Sequence, residues 1–235
     1  MATEPAFWCI VPAAGRGVRF GSRQPKQYAA LAGKPLLVRT LERLAGSPVV
    51  AGLMVVLAPD DAHWPRLAQV AGIPVLTTTG AAERSGSVLA GLHALPATVD
   101  ADAFVLVHDA ARPCVSAADL RRLVERGIAA GGALLATPLR DTLKRADRSD
   151  RVATTEPREM RWRALTPQMF RRGELTAALA AAQGAGTAVT DEAMAMELAG
   201  HRPLLVEGAA SNIKVTTVAD LLLAEFLLRQ PADDA

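Results

Sequence analysis

The chain has 235 residues, half of them hydrophobic, with a formal net charge of +2 and an isoelectric point near 8.8. That suits one large α/β domain, or one domain with a small appendage, and enough apolar residues for a sizeable core. The balanced charge and the lack of long Lys/Arg runs exclude a nucleic-acid partner, and no apolar stretch has the length of a membrane span or a secretory signal, so a cytoplasmic protein without a membrane partner is expected.

Short aliphatic runs at 7–11, 49–57, 75–78, 103–108 and 132–137 read as buried parallel strands. Helical patterns at 35–46, 60–71, 85–95 and 116–130 fall between them. The last has Ser116 at its cap and Asp119 three residues on. This βαβα order predicts an α/β protein with a doubly wound, mostly parallel sheet and a site at the carboxyl ends of its strands. The rhythm breaks at 139–163, a charged, Arg-rich stretch read as a projecting β-arm. A hairpin of that size is marginal alone, so a second subunit is the expected support. Helices resume at 171–183 and 190–199. Strands at 203–206 and 212–215 follow, then a closing helix at 217–229 capped by Thr217, with Asp220 three residues on. Residues 1–235 thus read as a single domain with the arm inserted. Cys9 and Cys114, the only cysteines, lie in no CxxC or metal spacing and read as reduced thiols.

The first strand runs into "VPAAGRGVRFGSRQPKQY" (11–28), a Gly-containing loop with four cations and no acid. The dinucleotide fingerprint fails, because its third glycine would fall at Phe20. The Walker A pattern fails too, because the only Gly-Lys pair, Gly33-Lys34, is followed by Pro35. Gly15 and Gly17 still allow backbone amides to approach a ligand. Arg19 adds a planar fork and Lys26 a mobile point charge, so the loop suits several phosphate oxygens. Asp109 ends the apolar run "VLV" and could hold Mg²⁺ against a triphosphate. Of 26 cations only Lys26, Lys34, Lys144 and Lys214 are Lys.

The loop, "GAAERSGSVLAGL" (80–92), "VLVHDAARP" (105–113), "RDTLKR" (140–145), "ALTPQMF" (164–170), "TDEA" (190–193) and "EGAASNIKVTT" (207–217) together resemble the 2-C-methyl-D-erythritol 4-phosphate cytidylyltransferases. These enzymes act in the non-mevalonate isoprenoid pathway, and the likeness spans almost the entire chain. It implies a Rossmann-like nucleotidyltransferase fold and a reaction in which the substrate phosphate attacks the α-phosphorus of CTP, releasing pyrophosphate. A phosphomonoester has its second pKa near 6, so at neutral pH it needs no general base. Catalysis then reduces to alignment and charge stabilisation, and His108 is read as structural.

The resemblance implies that Lys26, Arg19 and Lys214 are catalytic and that Asp109 holds Mg²⁺, other divalent cations being possible. Ala13, Ala14, Gly15, Gly17, Gly80, Ala81, Ala82 and Ser87 would bind the nucleotide. Some relatives carry an acid at the position of Ala82, so here that contact must be through backbone. Arg112, Thr142, Arg158, Thr166 and Thr190 would surround the sugar-alcohol phosphate. Thr190-Asp191-Glu192 also reads as a helix cap with two acids in the first turn. The arm would cross to a partner in a homodimer and complete its site. A ribitol 5-phosphate cytidylyltransferase and a catalytically silent nucleotide-binding dimer are the alternatives.

Overall fold

The computed structural model describes residues 5–15 and 24–230. The chain begins with β1 (Phe7–Pro12) and, past the opening loop, a 3₁₀ turn (Lys26–Tyr28). A two-residue ladder, β2 (Ala30–Leu31) and β3 (Lys34–Pro35), leads into α1 (Leu36–Ala45). Then come β4 (Val50–Leu57), β5 (Gln69–Val70), β6 (Ile73–Thr79), α2 (Arg84–His93), β7 (Phe104–Val107), α3 (Ala117–Ala130) and β8 (Ala133–Pro138). The arm contributes β9 (Leu143–Ala146) and β10 (Val152–Glu156), and the chain returns through β11 (Trp162–Arg171). It closes with α4 (Arg172–Gly184), α5 (Glu192–Leu198), β12 (Leu204–Glu207) and α6 (Val218–Arg229).

The main sheet runs β12-β8-β11-β7-β1-β4-β6-β5. β1 pairs in parallel with both β4 and β7, so the strand order reverses about β1. Alternation explains the two layers. Cys9 and Val11 of β1 join α1 and α3 side chains such as Leu41 and Leu120 on one face. Ile10 joins Val88 and Leu92 of α2 and Leu175 and Leu179 of α4 on the other. All these side chains are buried, each leucine contributing about 1.5–3 kcal/mol by leaving water. The caps at Ser116 and Thr217 follow the sequence: Ser116 Oγ accepts from Asp119 N, and Thr217 and Asp220 form a reciprocal capping box.

Three expectations need correction. Residues 60–71 are not a helix. Pro65 removes an amide and pushes Trp64 out of the helical region, Arg66 takes φ 53°, and the stretch ends as β5. Ala71 and Gly72, at φ 48° and 82°, turn β5 back onto β6. Residues 212–215 form no strand. They are held instead by specific bonds, Val215 N to Ala111 O at 2.8 Å and Asn212 Nδ2 to Thr166 O at 2.7 Å. The segment 164–170 belongs to a strand that was not anticipated: β11 lies antiparallel between β7 and β8. Pro167 masks it, since the ladder is interrupted between Ala164 and Gln168.

The arm is as expected a β-hairpin, with β9 and β10 paired only to each other. Asp147 Oδ1 closes its turn by accepting from Ser149 N at 2.8 Å and Arg151 N at 3.1 Å.

Candidate active site

The reversal of strand order about β1 opens a crevice at the carboxyl ends of β1 and β7. A cleft of about 210 Å³ lies there, lined by Ala13–Gly15, Lys26, Ala81–Arg84, Ser87, Asp109 and Lys214 among others. A second cleft of about 240 Å³ adjoins it, lined by Arg84, Asp109, Arg112, Thr166, Thr190 and Lys214 among others. Arg84, Asp109 and Lys214 line both, so they form the common wall.

Lys26 and Lys214 are far apart in sequence but meet at the first cleft. Lys26 Nζ donates to Val215 O at 3.1 Å, beside Lys214. Gln27 Nε2 donates to Ala13 O at 2.7 Å and so fixes the 3₁₀ turn against the end of β1. Lys214 Nζ lies 2.9 Å from Asp109 Oδ2, with its side chain 42% exposed. Gly17 and Arg19 lie outside the described residues.

The Gly80 turn is pressed against the opening loop. A Cβ on Gly80 would meet Ser87 Oγ at 2.7 Å and the Ala14 Cβ at 2.8 Å, so only glycine fits. Ser87 is 2% exposed, and its hydroxyl is engaged locally: Oγ accepts from Ala81 N at 3.1 Å and lies 3.0 Å from Glu83 O. It braces the turn that presents the exposed backbone of Ala81 and Ala82.

Asp109 sits just past β7, 7% exposed. Burial alone would raise its pKa, but Arg84, Lys214 and Arg112 override it and hold the carboxyl well below the usual carboxylate range. Arg112 Nε is 3.3 Å from Oδ2, and its Nη1 donates to Asn212 O at 2.7 Å. His108 is fully buried, and burial lowers its pKa to about 4. Its Nε2 is 2.9 Å from Arg112 O, which can only accept, so Nε2 carries the proton and Nδ1 accepts from Thr166 Oγ1 at 3.0 Å. Both ring nitrogens are engaged, in keeping with a structural His108. Thr166 has thereby spent its one hydroxyl proton, and it also accepts from Asp109 N at 3.0 Å. Toward a ligand it offers an oxygen lone pair.

Thr190 lies at the mouth of the second cleft, exposed, in the turn before α5. The cap of α5 is Asp191, which accepts from Met194 N at 2.9 Å and from Gln168 Nε2 at 2.9 Å. Thr142 and Arg158 line neither cleft within one chain. Both are exposed on the arm, where Arg158 donates to Arg140 O.

Sequence reasoning missed Arg84 and Glu192. Arg84 Nη1 lies 2.6 Å from Glu192 Oε1, its Nη2 3.1 Å from Glu192 Oε2, and its Nε 3.2 Å from Asp109 Oδ1. One signal was present. A cation in the first turn of α2 opposes the helix dipole and needs a reason to be there.

A mostly parallel α/β sheet whose strand reversal gathers lysines, arginines and one ionised carboxylate between two adjoining clefts has the build of a nucleotidyltransferase. The family model described as IspD, 2-C-methyl-D-erythritol 4-phosphate cytidylyltransferase, matches residues 7–230. The chain belongs to that family. A relative of that name from Stenotrophomonas maltophilia (strain R551-3) is 60% identical over 228 residues, covering 97% of this chain and 98% of its own. One from Xanthomonas campestris pv. campestris (strain 8004) is 60% identical over 224 residues, covering 95% and 84%. The crystal structure of the enzyme so named from Thermus thermophilus superposes with a TM-score of 0.80 at 32% identity, covering 96% of this chain and all of that one.

Proposed function

We propose that this chain joins CTP and 2-C-methyl-D-erythritol 4-phosphate, giving 4-diphosphocytidyl-2-C-methyl-D-erythritol and pyrophosphate for isoprenoid precursor synthesis. One observation carries the reading: two clefts share a wall of Arg84, Asp109 and Lys214, and Lys26 lines the first. Two polyanions placed one in each cleft would meet across that wall. The nucleotide belongs in the first cleft, its base against the Gly80–Ala82 backbone braced by Ser87 and its phosphates toward Ala13–Gly15 and Lys26. The second phosphate belongs beside Arg112, with Thr166 accepting from a substrate hydroxyl and Thr190 at the rim.

The attacking phosphate is already ionised near neutral pH, so no side chain has to remove a proton. Lys26 and Lys214 stabilise charge growing on the α-phosphoryl group, and Arg19 holds the departing pyrophosphate.

Asp109 is the candidate holder of Mg²⁺ or another divalent cation. No group of three His, Cys, Asp or Glu able to hold a metal occurs among the described residues. A single carboxylate still fits Mg²⁺, which commonly takes one or two carboxylates and completes its shell with water and substrate phosphate. Lys214 must then yield its contact to Oδ2 and turn to the phosphate. When bound, the ion would offset triphosphate charge and polarise the α-phosphoryl group.

The proposal extends to the assembly. Residues 1–235 form one domain, and the arm at 139–163 reaches a second copy in a homodimer, where Thr142 and Arg158 complete the partner's second cleft. Support comes from their exposure and from three apolar side chains on the arm, Val152, Met160 and Trp162, which are 64%, 93% and 36% exposed. No described helix is long and apolar enough to cross a membrane, and a cytoplasmic setting is proposed.

Pyrophosphate release tests the reaction. Release with CTP and the methylerythritol phosphate, and slow or no release with UTP, ATP or D-ribitol 5-phosphate, is expected. Faster release with ribitol phosphate would move the second substrate to the sister class. CTP binding without release from any pair would leave only a nucleotide binder.

A further inference from the structure

Glu192 is fully buried and lines neither cleft, yet it is ionically paired to a residue that lines both. Its two oxygens receive Arg84 Nη1 at 2.6 Å and Nη2 at 3.1 Å, and Arg84 Nε and Nη2 lie 3.2 Å and 3.1 Å from Asp109 Oδ1. Three N–H···O hydrogen bonds and one further ion-pair contact therefore converge on one guanidinium with five donors. Arg84 is thus spent as a fixed cation and has little left to grip a phosphate. A planar fork held at both ends is a ruler: it sets the distance and angle between two carboxylates. One of them, Asp109, forms the common wall. The other is the first residue of α5, two positions after Thr190 at the rim of the second cleft. Gln168 holds the same turn from β11, its Nε2 on Asp191 Oδ2 at 2.9 Å and its Oε1 on Ala193 N at 2.7 Å.

We propose that Arg84 and Glu192 are positioning residues: Glu192 aims Arg84, and Arg84 fixes the Asp109 carboxylate by Oδ1 while tying the Thr190 turn to the wall between the clefts. Oδ2 is left as the face offered to Lys214, Arg112 and whatever the nucleotide brings. The proposal rests on the two-cleft reading above, but it concerns Arg84, which holds Asp109, and Glu192, which holds Arg84.

A buried ion pair can also be merely structural, and the two roles separate by experiment. Replacing both partners by apolar residues of similar volume often leaves stability unchanged or improved, whereas removing one partner costs stability. Glu192→Gln should lower the Tm. The double variant Arg84→Met/Glu192→Met should recover much of that Tm, because Asp109 keeps Arg112 and Lys214, yet kcat should stay about tenfold or more below wild type, and KM for the sugar-alcohol phosphate should rise by a similar factor, the usual cost of losing a residue that orients a ligating side chain. A double variant that regains kcat and KM together with Tm overturns the proposal. Arg84→Lys is the second arm if the double variant folds poorly. It keeps the charge and loses the fork, so kcat should fall although the Tm is held; an unchanged kcat counts against positioning. Wild type run alongside keeps the failures apart. If it releases no pyrophosphate, the functional reading fails; if it is active and both variants match it, the relay alone fails.

Discussion

Asp109 concentrates the electrostatics of the site on one carboxylate. Three cations surround it, contributed by α2, by the turn after β7 and by the segment before α6. Removing its charge leaves the buried Arg112 without its carboxylate and Arg84 with Glu192 alone. For Asp109→Asn this should cost about 3–5 kcal/mol at pH 7, the usual range for breaking a buried pair from one side. The pH dependence has a definite sign. The folded pKa is depressed, so the carboxylate's contribution is complete above its unfolded value near 3.9 and fades as pH falls below it. The Tm gap between wild type and Asp109→Asn should therefore be constant from about pH 7 to 5 and narrow toward pH 3. A gap unchanged at pH 3 would mean that the loss came from packing. The sequence singled out Asp109 and Lys26 by local chemistry and Lys214 by the family resemblance, and the structure brings the three to one cleft. Glu192 was not legible in the sequence. Its partner is 108 positions away, and its local context reads equally well as a capped helix start.

Elements were legible where local and global signals agreed. The strands β1, β4, β7 and β8 are short, aliphatic and buried on both faces, as parallel strands must be. The three corrected segments share the opposite property, that tertiary contacts decide them. Pro65 ends a helical pattern that hydrophobic spacing alone supports. β11 carries a proline that local reading counts against a strand, and the alternating Ile213 and Val215 pack into the apolar cluster under α6 rather than onto a neighbouring strand. The closing helix α6 is a case of agreement that can be measured. Thr217 Oγ1 accepts from Asp220 N, and Asp220 Oδ2 receives Thr216 Oγ1 at 2.7 Å and Thr217 N at 2.8 Å. Those bonds, Thr216's hydroxyl first, hold the Asp220 pKa at about 2. Thr217→Ala should remove about 1 kcal/mol, a Tm loss of roughly 2–4 °C for a chain of this size. The Asp220 N–H bond to Thr217 Oγ1 does not titrate, so only the share carried by Thr217 Oγ1 on Asp220 Oδ2 should shrink as pH falls from about 4 toward 2. Thermal unfolding at pH 7 and pH 3 checks both statements.

At the scale of the molecule, two of the residues expected around the second substrate line neither cleft of their own chain. Thr142 and Arg158 sit on an arm whose two strands pair only with each other and expose apolar side chains to water. An isolated hairpin of that kind is marginal, and the proposed second copy would account for both its order and its sequence. The proposed homodimer makes a quantitative prediction. Chains carrying Lys26→Ala and chains carrying Arg158→Ala should each be nearly inactive. If Arg158 acts across the interface, a mixed dimer has one site with both residues intact and one with neither. Random pairing of equal amounts makes half of the dimers mixed, so exchange should restore about a quarter of wild-type activity. Acting within its own chain, Arg158 would leave every site of every dimer lacking one residue, and mixing would restore nothing. Measuring pyrophosphate release after subunit exchange, against each variant alone, decides between them. It also tests the arm directly: deleting 143–156 from one of the two partners should abolish the rescue only when the deleted chain is the one supplying Arg158.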